Sequence, residues 1–378
     1  MKSSTFCVAP WLQACVNPDG KLTPCCLWDA PSQYSFNQFD QWISSTEMQN
    51  VRESLDNGEQ ILPCNRCWSA ERIKRRSLRQ IYNEEFFNYF TGAINTVTFD
   101  FKLGNLCNLK CVMCSGDTSS QLLTEYKTNQ SKFDNILGYR PPPLDIDFEW
   151  PLKPEFKDFL NRFKDQARWI KFTGGEPTMI PYVISLLNEI PNPELVTVSL
   201  VTNATRINNE LLSILSRFGA VWINASIEGI GKDNEQIRYL SKWSEVEHNI
   251  LSLNKLNNVY FSISYVLQCF SVQTFIPVLK WCEQHNLKLD SQLLSGPNYL
   301  SMASVDPDII ENFRQKLQEL QLKNNQNVVE QAIEFLKAYK FDPALKKQRL
   351  QYLSTLDNIR GTDLKNLINR EKNESSTI

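Results

Sequence analysis

Three cysteines stand within eight residues at Cys107, Cys111 and Cys114, in the run Gly104-Asn105-Leu106-Cys107-Asn108-Leu109-Lys110-Cys111-Val112-Met113-Cys114-Ser115. Thiols this closely and asymmetrically spaced are candidate metal ligands, although a free cysteine also serves as a small buried apolar residue. Iron–sulfur clusters are usually held by four thiolates, so a loop that offers three leaves one iron open to a substrate or cofactor. Zinc is the rival metal. Structural zinc takes a fourth protein ligand, and no further His or Cys lies near this loop in sequence.

A second set of thiols falls in the first ninety residues, which hold six of the eleven cysteines. Cys7 is followed by twelve residues, Gly20, four residues and Cys25, while Cys64 and Cys67 form a Cys-x2-Cys pair farther on. Four thiolates close a cluster with no open iron, but the same set would serve a zinc ribbon, because ligand count does not separate the two metals. Cys15 and Cys26 are spare candidates. Trp11, Trp28 and Trp68 lie near these thiols, either shielding a metal from water or packing as ordinary aromatic core.

The elements that must position these groups are legible in the periodicity. From Ile94 onward, short β-branched or apolar runs alternate with amphipathic segments, the pattern of βα units and a parallel sheet. Strands are predicted near 95–102, 168–173, 197–202, 220–226, 259–267 and 288–294, with helices at 117–127, 181–190, 208–217, 243–254 and 273–285. Six strands with five crossovers fit an α/β fold, a partial (β/α)6 TIM-like barrel, better than a closed eight-stranded one. The cysteine triplet then leaves the C-terminal end of the first strand, where α/β folds place their ligands.

Residues 1–90, with turn signals such as Asn17-Pro18-Asp19-Gly20, read as a small cysteine-rich lobe, joined to the barrel through a basic helix over Arg72 to Arg79. The barrel is expected over 91–304, with an insertion at about 129–165 that carries Pro141-Pro142-Pro143. Residues 305–378 read as a helical C-terminal extension with polar faces, its last stretch from Glu371 frayed.

The spacing Cys-x3-Cys-x2-Cys resembles that of the radical S-adenosylmethionine (SAM) superfamily. Phe172-Thr173-Gly174-Gly175-Glu176-Pro177, at the next strand end, is similar to the family's Gly-Gly-Glu-Pro motif. Thr202-Asn203-Ala204 and Ser226-Ile227-Glu228-Gly229 are similar to its Thr-Asn-Gly and Ser-Leu-Asp-Gly segments. The resemblance implies a [4Fe-4S] cluster on Cys107, Cys111 and Cys114 as the catalytic centre, its open iron chelating SAM. One-electron reduction then yields methionine and a 5′-deoxyadenosyl radical that abstracts hydrogen from the substrate. It further implies that Gly174, Gly175, Glu176 and Pro177 grip the SAM amino group, with Asn203 among the cofactor-binding residues and Ser226 on the ribose or carboxylate. Arg238 either stands beside that carboxylate or is a solvated helix charge. Many relatives carry an aromatic residue where this chain has Met113, which leaves the adenine contact to a thioether.

The N-terminal lobe resembles a twitch domain, a shortened SPASM domain, placed before the barrel instead of after it. By that likeness Cys7, Cys25, Cys64 and Cys67 hold an auxiliary [4Fe-4S] cluster, with zinc as the alternative. The implied activity is that of a peptide- or protein-modifying maturase or oxidoreductase, with an external one-electron donor such as flavodoxin or ferredoxin. A small-metabolite radical SAM enzyme and a non-catalytic iron–sulfur or zinc protein are the alternatives, the last disfavoured by Gly174, Gly175 and Glu176. Cys269 and Cys282 lie outside both thiol groups, and Cys269 is either a hydrogen donor to a substrate radical or a buried packing residue. His248 and His285 fall in helical stretches and read as solvated or core.

Forty basic against forty-two acidic side chains give a net charge of −2, with no basic run to track a phosphate backbone, so nucleic-acid binding has no support. The N-terminus shows no apolar signal core and no window approaches a membrane span, which points to a cytoplasmic protein with reduced thiols and no membrane partner.

Overall fold

The computed structural model describes residues 3–72 and 76–370; residues 73–75, inside the expected basic helix, and the last eight residues, where fraying is expected, lie outside the described part. Among the described residues there are ten strands: β1 (Gln13–Val16), β2 (Leu22–Thr23), β3 (Thr98–Leu103), β4 (Lys110–Cys111), β5 (Trp169–Gly174), β6 (Thr197–Thr202), β7 (Ala220–Ser226), β8 (Arg238–Tyr239), β9 (Val259–Leu267) and β10 (Lys288–Leu293). Eight form one mostly parallel sheet in the order β10-β9-β7-β6-β5-β3-β1-β2, and β4 pairs with β8 in a separate ribbon. The six strands expected from periodicity are β3, β5, β6, β7, β9 and β10, in consecutive sheet order, as a partial TIM-like α/β fold requires. Helices Pro181–Glu189, Asn209–Leu215, Trp243–Leu253 and Ser271–Gln284 occupy the predicted crossovers.

The chain divides into two compact units: Met1–Leu106 with Asp145–Leu200 and Asn208–Trp222, and Cys107–Leu144 with Val201–Ile207 and Ile223–Ile378. In the first unit the N-terminal residues add to the sheet edge. β1 runs parallel to β3, with Cys15 opposite Asp100, and β2 folds back antiparallel on β1. The Asn-Pro-Asp-Gly turn between them carries Gly20 at φ +75°, with the Trp150 ring about where a Cβ would touch and the Trp150 indole N–H donating to the Pro18 carbonyl at 2.7 Å.

Inside the expected insertion, helix Pro154–Phe163 starts on a proline, which suits a first turn that has no N–H partner to lose. It buries Phe156, Phe159, Leu160 and Phe163, and its rings meet Phe99 and Phe101 of β3 edge-on or tilted. Burying four such side chains contributes on the order of 6–12 kcal/mol before entropy is charged against it.

In the second unit the longest helix is Pro343–Arg360. Asp342 caps it, accepting from the Ala344 N–H at 2.8 Å, and Gly361 ends it in the left-handed region at φ +67°. Its buried face is Arg349, Tyr352, Leu353, Leu356 and Arg360. Among the described residues no helix is long and apolar enough to cross a membrane.

Candidate active site

In the second unit the cysteine loop is tied down along its whole length. Lys110 and Cys111 form β4, paired antiparallel with β8 so that Cys111 lies directly opposite Arg238. The Val112 N–H donates to the Ile237 carbonyl at 2.8 Å, and the Tyr352 hydroxyl donates to the Val112 carbonyl at 3.0 Å. Ser119 caps helix Ser120–Thr128, and its hydroxyl donates to the Leu109 carbonyl at 2.6 Å. Glu125, on the same helix, is buried between Arg360 at 2.6 Å and Lys110 at 3.2 Å.

Cys107 and Cys111 are buried, Cys114 is half-buried, and the three gather around Leu109 with Met113 against them. The Asn203 amide, just beyond β6, approaches the Cys107 sulfur at 3.8 Å and donates to Asn108 Oδ1 at 3.0 Å. Ala204 follows at φ +58°, the left-handed conformation that explains why the similar family segment has glycine there.

Arg238 is buried and donates to Glu228 Oε2 at 2.6 Å, while its Nε has no hydrogen-bond partner among the described residues. Burial penalises this cation, but Cys111, Glu228 and Cys114 outweigh the penalty and hold its pKa above the usual value. The Cys114 hydrogen bond lowers the Cys111 pKa, with Arg238 assisting, so the loop favours one thiolate. Ser226 ends β7, two residues before Glu228.

In the first unit, Gly174 takes φ +112° and Gly175 presses against the chain just before Cys107, where a Cβ would stand 2.3 Å from the Leu106 carbonyl oxygen. The Glu176 N–H donates to that same carbonyl at 2.7 Å. The buried Glu176 carboxylate accepts from Thr178 N–H and hydroxyl at 3.2 and 2.8 Å, capping the short turn that opens with Pro177.

Residues 101–281 match the family model described as Radical SAM superfamily. This segment is similar to radical SAM domains. That similarity implies a [4Fe-4S] cluster and SAM. No curated protein matches the chain. Among solved structures, the chain is similar to polyhistidine-tagged anSMEcpe with bound AdoMet (20% identity, TM-score 0.40), covering 58% of this chain and 56% of that one. It is also similar to Streptococcus suis SuiB bound to precursor peptide SuiA (12% identity, TM-score 0.39; 86% and 72% covered). A third likeness is to TYW1 with a lysine-pyruvate adduct (14% identity, TM-score 0.30; 62% and 75% covered). The chain thus spans little more than half the length of the first, and TM-scores this low carry no shared arrangement.

The donor set of the cysteine loop fits a cluster. Three thiols share one loop, and a buried arginine faces the middle one. Among the described residues, no three His, Cys, Asp or Glu side chains converge on one ion position. A cluster spreads its thiolates over separate irons, so its ligands need no common point. Beside Met113 and Cys114 opens a cavity of about 640 Å³, walled by Tyr139, Pro142, Pro297, Tyr299 and Tyr352.

Outside the matched segment, Cys7, Cys25 and Cys64 gather with Trp28, Ile61 and Trp68 in one apolar cluster, and Cys67 lies near enough to Cys7 and Cys64 to act on them electrostatically. Burial, with the charge of neighbouring thiols adding to it, pushes Cys7 and Cys64 up to about 12. Cys15 and Cys26, the spare candidates, both feel the charge of Asp100 on β3. Trp11 packs with Phe6 and Phe86 in a separate core cluster. Cys269 and Cys282 are buried, and desolvation raises both to about 12. His285 packs its ring on Trp281 at 5.1 Å.

Sequence reasoning missed Tyr352, Arg360 and Glu125. The available signal was an arginine and a tyrosine eight residues apart on the apolar stripe of the last long helix, where side chains four and eight apart share a face.

Proposed function

We propose that this chain is an enzyme that holds a [4Fe-4S] cluster on Cys107, Cys111 and Cys114, binds SAM at the open iron, and modifies a side chain of a peptide or protein. The observation that carries the reading is the loop itself: three thiols within eight residues, each stretch between them clamped by a different element, and Arg238 placed by strand register opposite Cys111. When bound, the cluster and SAM supply one-electron chemistry, reductive cleavage of SAM to a carbon radical that removes hydrogen from the substrate.

The protein's own contribution is position and charge. Arg238, held by Glu228, favours the ionised form of the thiols and presents a free Nε to an anionic group such as the SAM carboxylate. Gly174 and Gly175 let backbone approach a ligand, and Glu176 complements an ammonium. Met113 packs at the cavity edge, where a thioether suits an aromatic ring. Pro177, Asn203 and Ser226 complete the cofactor-binding set.

Cys7, Cys25, Cys64 and Cys67 form the second metal group, an auxiliary [4Fe-4S] cluster, and residues 1–90, 91–304 and 305–378 are the three functional segments. The peptide substrate rests on the likeness of the N-terminal cysteine pattern to twitch and SPASM lobes, and the electron donor is a flavodoxin- or ferredoxin-type protein. The test is anaerobic reconstitution followed by dithionite and SAM. The reading expects 5′-deoxyadenosine; its absence from protein fully loaded with iron would remove the enzyme.

A further inference from the structure

Parallel strands covered on both faces ordinarily read as continuous apolar runs. In the first unit β3 (Thr-Phe-Asp-Phe-Lys-Leu) and β5 (Trp-Ile-Lys-Phe-Thr-Gly) instead alternate. Phe99, Phe101 and Phe172 lie on the covered face, with Phe101 stacked on Phe172 and edge-on to Phe156 of helix Pro154–Phe163. The other face is polar. Strand register sets Cys15, Asp100, Lys171 and Ser199 in one transverse row across β1, β3, β5 and β6.

Within this row the Lys171 ammonium bonds Asp100 Oδ2 at 3.2 Å, and the lysine side chain is 33% exposed whereas the aspartate is 2% exposed. Asp100 Oδ1 is buried and has no hydrogen-bond partner among the described residues. Gln13, one row below on β1, donates through Nε2 to the Tyr82 hydroxyl at 3.0 Å, yet its Oε1 is likewise buried without a partner among the described residues. Lys102, one row above, bonds among the described residues only uncharged acceptors, Asn17 Oδ1 at 3.0 Å and the Cys26 carbonyl at 3.3 Å.

Two ammonium groups against one carboxylate leave this face with an uncompensated positive charge, and although the Cys26 thiol bonds the Asp100 carboxylate, Asp100 Oδ1 and Gln13 Oε1 lack donors among the described residues. Buried acceptors without donors are costly and rarely kept without a use. An ion pair in such a place is weak evidence of stability, since apolar residues of the same volume would serve the fold as well. A ligand that supplies one carboxylate and one or more N–H donors satisfies every open valence.

We infer that the row of Gln13, Asp100 and Lys171, with Lys102 beside it, binds an acidic residue of a peptide, its carboxylate at the two lysines and its main-chain N–H at the open oxygens. The inference rests on the peptide reading of the function and supplies its sequence preference. No step of the reaction is assigned to these residues; they hold the substrate in place.

The experiment uses the reconstituted, unreduced protein and three probes, the capped tripeptides acetyl-Ala-Glu-Ala-amide, acetyl-Ala-Gln-Ala-amide and acetyl-Ala-Lys-Ala-amide, followed by saturation-transfer NMR. The glutamate peptide is expected to bind about tenfold or more tightly than the other two. Lys171→Gln, which keeps a donor beside Asp100, is expected to erase that preference. Equal binding of all three peptides, binding of none, or a preference that survives Lys171→Gln would overturn the inference. Because the protein is not reduced, these outcomes are independent of 5′-deoxyadenosine formation, which tests the enzyme reading alone.

Discussion

The chain gathers thiols in two places, and the two are built on different physical terms. Cys107, Cys111 and Cys114 share one short loop that strand pairing, a capped helix and a distant tyrosine hold from separate directions, and a buried arginine faces the middle thiol. Cys7, Cys25 and Cys64 come from three separated segments and meet among tryptophan and aliphatic side chains, with Cys67 acting on Cys7 and Cys64 electrostatically, and burial pushes the thiols up. On the proposed function, the first arrangement is incomplete in ligands and rich in fixed charge, as suits a centre that admits an anionic, chelating cofactor. On the same proposal, the second is complete in ligands and mostly apolar, as suits a group that is enclosed.

The sharpest way to break this contrast is to remove one thiol from each. Cys111→Ala is expected to abolish SAM cleavage, whereas Cys67→Ala is expected to retain uncoupled cleavage while losing the spectroscopic signal of the second cluster, both read as 5′-deoxyadenosine and by electron paramagnetic resonance. Equal loss in two folded variants would contradict the division of labour.

Next in size is the pair of arginines. Arg238→Met leaves Glu228 buried without its cation and is expected to cost about 3–5 kcal/mol in denaturant unfolding. Arg79, beside the other thiol group, bonds Glu71 at 2.7 Å and lies over the Trp68 ring, but Glu71 is 21% exposed and water can replace the partner. Arg79→Met is therefore expected to cost only about 1–2 kcal/mol. Similar costs at the two sites would remove the claim that fixed charge distinguishes them.

Much of the first centre was legible in sequence because its ligands are local. The triplet spans eight residues, and Gly174-Gly175-Glu176-Pro177 ends a strand whose periodicity marks it. The six barrel strands were legible for the same reason, since alternation and length report burial directly. What sequence withheld is contact at long range. Tyr352 reaches Val112 across 240 residues and Arg360 reaches Glu125 across 235, and no local period encodes such a meeting. The union of β1 with β3 was hidden likewise, because a four-residue strand in a cysteine-rich segment reads as a lobe until its partner is known.

Two smaller perturbations sharpen the picture of the first centre. Tyr352→Phe removes one hydrogen bond to the loop and is expected to cost about 1 kcal/mol and to raise the amide exchange rate around Val112. Ala204→Gly relieves a left-handed alanine at the expense of a freer unfolded chain, so a gain of less than about 1 kcal/mol is expected in thermal unfolding.

The central claim is that the three-thiol loop leaves one iron open and that SAM takes it. Mössbauer spectroscopy of 57Fe-reconstituted protein addresses it most directly, with Cys64 and Cys67 both changed to Ala so that the loop cluster alone contributes, at about four irons per chain. The account predicts that adding SAM shifts the spectrum of a single iron and leaves the other three unchanged. A fully loaded cluster whose spectrum does not respond to SAM would contradict it.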